Sequence, residues 1–312
     1  MEMDKEKNFD LSAMEKALRS AIRSGKVDRV ERLLGLGANP SEPLARRGQV
    51  ATALGYAILV EKFNLQIVEM LLRAGVDPWA AADGNLWVDA WHLAIRDGKS
   101  DCVKLMAEAF SKDLRLPPVW EEMDKKTRSL NRDCPLSRCL KIGVPNACHA
   151  RCIEVLAPHC DIEACDGWGI TPLMHAARIG FEEGVAVLIA AGANPNMTGN
   201  TGVSPLMMAS KTDSMCMEIL LEAGADPLAV DESMATALHW AAKRGSAKGM
   251  RILSERSDLG AMDVAGRRPA ECVTSKASAS TKAMAEWLDL KRESKGSELS
   301  GALSKCSKIA RI

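Results

Sequence analysis

The sequence predicts an all-α chain, a solenoid of about eight stacked helix-turn-helix units with projecting β-turn loops, and three observations carry that prediction. Aromatic residues are only 4% of the 312, with one Tyr and four Phe, a composition that suits closely packed short helices better than large sheets. A Thr/Ser-Pro/Ala-Leu signature returns at Thr171, Ser204 and Thr236, at spacings of 33 and 32 residues. The first two copies each run on into an apolar stretch and a Gly-Ala pair, before Asn194 and Asp226.

The clearest unit spans Asp166 to Thr198. Thr171 caps its first helix with a hydroxyl, and Pro172 fits the first helical turn, where its missing N–H is not needed. Ala176 and Ala177 let neighbouring helices approach, and Gly180 ends the short helix. Val185, Val187, Leu188 and Ile189 form the apolar face of the second helix, and Gly192 opens the next loop. Downstream, Ser204-Pro205-Leu206 runs on to Leu220, Leu221, Gly224, Ala225 and Asp226. Thr236-Ala237-Leu238-His239 follows with Ala241, Ala242 and Gly245. A degraded last copy starts at Gly266, with Arg268 to Glu271 at the helix start and Trp287 and Leu288 to close the core.

Upstream the pattern is weaker. Ala17 to Pro40 ends in Gly37-Ala38-Asn39-Pro40, Thr52 to Pro78 ends in Gly75-Val76-Asp77-Pro78, and further units carry Trp91-His92-Leu93-Ala94 and Pro135-Leu136. The register resembles the ankyrin repeat, with its T-P-L-H-x-A start, glycine turn, second helix and G-A-D/N close. The resemblance covers about residues 11 to 290. It divides the chain into a polar extension (1–10), N-terminal repeats (11–107), an irregular repeat with insertions (108–165), regular repeats and a cap (166–290) and a flexible basic tail (291–312).

That resemblance implies a non-catalytic scaffold that binds a protein partner through turn tips and the concave helix face. Unit by unit, it puts Trp168 and Ile170, Asn200 and Val203, and Glu232 and Ser233 on the tips. Arg178 and Ile179, Lys211 and Thr212, and Lys243 and Arg244 fall on the adjoining helix ends. Trp168 and Arg178 lead this set, because exposed Trp and Arg are enriched among interface hot spots. Trp87 occupies a turn-glycine position, and with Trp79 and Trp91 it offers an aromatic patch, although Trp91 stands at a core position. Two alternatives stay open: a translocated bacterial effector using the same array against a host protein, and an enzyme with a site in the 108–149 insert.

Charge and chemistry narrow the classes further. With 41 basic and 41 acidic residues there is no global field to recruit nucleic acid or an anionic membrane, and no run is apolar enough to span a bilayer. Ten Cys without paired-looking spacing point to a reducing, cytoplasmic compartment, and the chain is expected to be monomeric when unbound. Cys134, Cys139, Cys148, Cys152, Cys160 and Cys165 cluster with His149 and His159, but the spacing suits zinc poorly, and Cys139 and Cys160 fall where the repeat places alanine. No cofactor or metal is expected. His239 and His175 read as capping or core histidines rather than general bases.

Overall fold

The computed structural model describes residues 11–41, 44–46, 49–80, 89–109, 135–141, 146–212, 215–274 and 277–309. They fall in two compact units, 1–161 and 162–312.

In the first unit, α1 (Leu11–Ser24) pairs with α2 (Val27–Gly35), and α3 (Ala53–Leu59) with α4 (Leu65–Arg73). Next come α5 (Ala90–Arg96) with α6 (Ser100–Ala109), and α7 (Pro135–Lys141) with α8 (Ala147–Leu156). First helices pack on first helices and second helices on second, α3 against α5 and α4 against α6. Leu18, Ala21 and Ile22 form the buried face of α1, and Ile67, Val68 and Leu71 that of α4, whereas α3 is buried all round from Ala53 to Ile58. Thr52, Asn64, Asp89 and Asn146 cap four of these helices with side-chain oxygens. The chain is not wholly helical, because β1 (Leu44–Arg46) and β2 (Gln49–Ala51) form an antiparallel hairpin between α2 and α3.

The second unit repeats the pairing more regularly, with α9 (Pro172–Ile179) and α10 (Glu182–Ala190), α11 (Pro205–Ala209) and α12 (Cys216–Glu222), and α13 (Ala237–Arg244) and α14 (Ala247–Ser254). Inner helices α9, α11 and α13 stack in order, as do outer helices α10, α12 and α14. The degraded last copy has only a 3₁₀ turn, Pro269–Cys272, in place of an inner helix. The long α15 (Ala279–Ile309) then covers α14.

Repetition also reaches the loops. Gly37, Gly75, Gly192 and Gly224 all hold φ between 82° and 96°, a region that disfavours a side chain. The Ala or Val after each is buried, and the following Asn or Asp accepts a hydrogen bond from the amide two residues on. One local sequence therefore rebuilds the same loop after α2, α4, α10 and α12.

One expectation needs correcting. The backbone of α15 runs on to Ile309, so the segment expected as a tail begins within this helix. Leu288 does close the core at 2% exposure, but Trp287 stays 39% exposed with the Lys291 ammonium 4.5 Å from its ring centroid. Neighbours on a helix point to different faces, so only one of the two can face inward.

Candidate functional site

Between the last Gly-Ala loop and each inner helix the chain makes a tight tip, and a carboxylate organises three of these tips. Asp166 Oδ1 accepts from the amides of Trp168 and Ile170, Asp231 Oδ1 from Ser233 and Ala235, and Asp263 Oδ1 from Ala265 and Arg267, all at 2.8–3.0 Å. The second oxygen reaches forward along the chain. Asp166 Oδ2 lies 3.0 Å from His175 Nε2, Asp231 Oδ2 accepts from Trp240 Nε1 at 2.9 Å, and Asp263 Oδ2 accepts two bonds from the Arg267 guanidinium. Sequence reasoning passed over these aspartates, yet their recurrence just ahead of each cap is readable as a signal.

The remaining tip has Gly199 at that register and relies on backbone bonds, Gly199 N–H to Val203 and Gly202 N–H to Gly199. Successive tips touch directly. Glu232 N–H donates to the Thr201 carbonyl and Val264 N–H to the Ser233 carbonyl. Gly169 lies against Asn200, and Gly202 against Asp231.

Met234 departs from this scheme. It holds φ 56° at the register where the other tips have Gly169, Gly202 and Gly266. A non-glycine residue in the left-handed region costs about 1–2 kcal/mol, and the exposed Met side chain packs too little to offset it. Met234→Gly is therefore expected to stabilise the chain by about 1 kcal/mol, read as a higher urea midpoint at unchanged slope.

The histidines are occupied structurally. His239 Nδ1 accepts from the Thr236 amide and sits 2.9 Å from its hydroxyl, while Nε2 lies 3.1 Å from the Arg267 carbonyl of the next tip. A carbonyl only accepts, so the proton is on Nε2 and the ring is neutral. Burial pushes the His239 pKa below the ordinary histidine value, and the contacts to Arg267 and Asp263 offset this only in part. The sign follows: stability is complete above about pH 6.5 and falls as the pH drops through the lowered folded value. The melting temperature of the wild type should thus fall more steeply than that of His239→Gln between about pH 7.5 and about pH 5. His175 donates from Nε2 to Asp166, and its Nδ1 accepts from Arg178 Nη2 at 3.1 Å.

Of the surface residues drawn from the sequence, Trp168 is 66% exposed at its tip, and Asn200, Glu232, Ser233, Arg178, Lys243 and Arg244 are exposed too. Ile170, Ile179, Lys211 and Thr212 are half-buried. Val203 is misplaced by the sequence reading. At 5% exposure it belongs to the core, because the residue just before the cap turns under the tip rather than out from it.

Fold geometry brings the helix-end cations together. Lys211 lies close enough to Arg178 and Arg244 for both to lower its pKa, after the larger effect of burial. Its ammonium sits 4.7 Å from the Trp240 ring centroid and 3.4 Å from Met208 Sδ. Beside it, a cleft of about 150 Å³ is lined by Lys243, Arg267, Trp240 and Cys272 together with the carboxylates of Asp231 and Asp263. Trp240, Arg267 and Cys272 were missed. Trp240 shares a helical register with His175 and Met208, one turn after the cap, and that column was the available clue.

The other sequence candidates resolve differently. Trp91 is wholly buried, its ring centroid 5.8 Å from that of Trp79 with the planes tilted at 45°, whereas Trp87 lies outside the described residues, as does Cys134. Cys139 is buried as expected of an alanine position, but Cys160 is only half-buried beyond the end of α8. Among the described residues no three His, Cys, Asp or Glu side chains are placed to hold a metal. Burial pushes the Cys102 and Cys152 thiols up to about 12, so neither is a thiolate near neutrality. Most of the 108–149 insert lies outside the described residues. No described helix is long and apolar enough to cross a membrane.

A family model described as ankyrin repeats in three copies matches residues 140–231. The chain is 34% identical over 93 residues to Inversin of Canis lupus familiaris, covering 29% of this chain and 9% of that protein. It is 31% identical over 112 residues to Inversin of Gallus gallus, covering 35% of this chain and 10% of that protein. The match thus spans about a tenth of the length of these relatives. Residues 140–231 are thus similar to ankyrin repeats, and the paired helices, glycine loops and stacked tips described above agree with that likeness.

Proposed function

We propose that the chain is a non-catalytic scaffold that grips a protein partner through the tips and inner-helix ends of residues 166–245. Ankyrin repeats generally mediate protein–protein interaction, and the observation that carries the reading here is the run of helix-end side chains Arg178, Lys211, Lys243 and Arg244, supplied by successive inner helices or the turns that follow them. Exposed Trp168 stands at the tip that leads into the first of these helices. The tip backbones at Trp168 and Ser233 are already hydrogen-bonded in the free chain, so these loops need little ordering on binding. The scaffold is cytoplasmic and monomeric until it meets its partner.

The test is capture from cell lysate by the intact chain and by a Trp168→Ala, Arg178→Ala variant whose helicity matches wild type by circular dichroism. A protein retained by the first and lost by the second supports the reading; equal recovery rejects this surface.

A further inference from the structure

The helix-end strip is a local concentration of one charge on a chain whose formal charge is zero. Arg178 is steadied by His175 Nδ1, Lys211 lies over the Trp240 ring, and Lys243 and Arg244 occupy the last turn of α13. The tip aspartates are turned to other work, Asp166 to His175 and two amides, Asp231 to Trp240, and Asp263 to Arg267, while Glu232 is an exposed tip carboxylate. Among the described residues none of the four strip cations makes an ion pair. Crowding of Lys211 by two guanidiniums is unfavourable in the free chain, and an anion placed between them would relieve it.

We propose that this strip seats an extended acidic peptide segment of the partner, whose carboxylates follow Arg178, Lys211 and Arg244 in order. The inference rests on the scaffold reading and adds to it the chemistry of the bound segment. Single-stranded nucleic acid is the competing polyanion, but it is held by stacking on successive exposed aromatic faces as well as by cations, and of Trp168 and Trp240 only Trp168 presents an uncovered face.

The probe is a fluorescein-labelled peptide alternating Glu and Ser, beside its Gln-for-Glu counterpart and an oligo-dT strand, titrated with the full chain by fluorescence anisotropy. The Glu peptide should bind, weaken as salt rises, and exceed the Gln peptide by about tenfold or more. Lys211→Gln with Arg244→Gln should remove about tenfold in affinity, whereas Lys282→Gln on α15 should change nothing. Absence of Glu-peptide binding, equal binding of the Glu and Gln peptides, full binding by the double variant, or tighter binding of oligo-dT would each overturn the proposal. If the captured partner still depends on Trp168 and Arg178 while the Glu peptide is ignored, the acidic-segment inference fails and the scaffold reading stands.

Discussion

Gly169→Ala is expected to lower stability by about 3 kcal/mol, the sum of left-handed backbone strain and a steric clash. The strain comes from φ 74° at this tip. The clash comes from the neighbouring tip, where an added Cβ would stand 2.4 Å from Asn200 Oδ1 and 2.7 Å from Asn200 N. The side-chain oxygen can rotate away, but the backbone nitrogen cannot, so the second contact decides the cost. Gly192→Ala separates the two effects. It has φ 96° and nothing within 4 Å of the added carbon, so it should lose only about 1–2 kcal/mol. Urea unfolding of the two variants reads the difference directly, and equal losses would mean that the tips are not held in close contact.

Asp166→Ala should cost about 2–3 kcal/mol, because it removes three charge-assisted hydrogen bonds from one tip. The Trp168 and Ile170 amides can recover water at the surface, which keeps the loss below the full sum. His175 is only 5% exposed and has no such recourse at Nε2. Asp166→Asn keeps an acceptor for the two amides but presents an N–H to the imidazole, whose other nitrogen already accepts from Arg178, so it should fall between Ala and wild type. Burial alone would raise the Asp166 carboxyl, but the Ile170 amide, His175 and the Trp168 amide outweigh it and hold the group below the ordinary carboxylate value. This contribution is therefore complete above about pH 3.8 and is lost as pH falls through the lower folded value. The gap in melting temperature between wild type and Asp166→Asn should narrow on acidification through that range.

Much of the architecture was written in local signals. Thr171 accepts from the Met174 amide and Ser204 from Met207, as their capping role required, and Gly180 and Gly245 end their helices in left-handed conformations. These features depend on a few adjacent residues, so the chain displays them in order. The site was legible only as positions in a register. Val203 was misjudged because one turn carries residues both outward and inward, and which way each points depends on the neighbouring tip. The Lys211–Trp240 contact joins different repeats and has no local signature. The same holds for the pairing of each tip aspartate, where His175, Trp240 and Arg267 answer one carboxylate position in three chemically different ways.

The most direct measurement of the central claim is amide hydrogen exchange of the full chain, free and saturated with the partner that capture identifies. Binding through tips and inner-helix ends predicts new protection at 168–179, 208–212 and 240–245, with the outer helices α10, α12 and α14 unchanged. Protection confined to those outer helices, or to residues 11–109, would contradict the account.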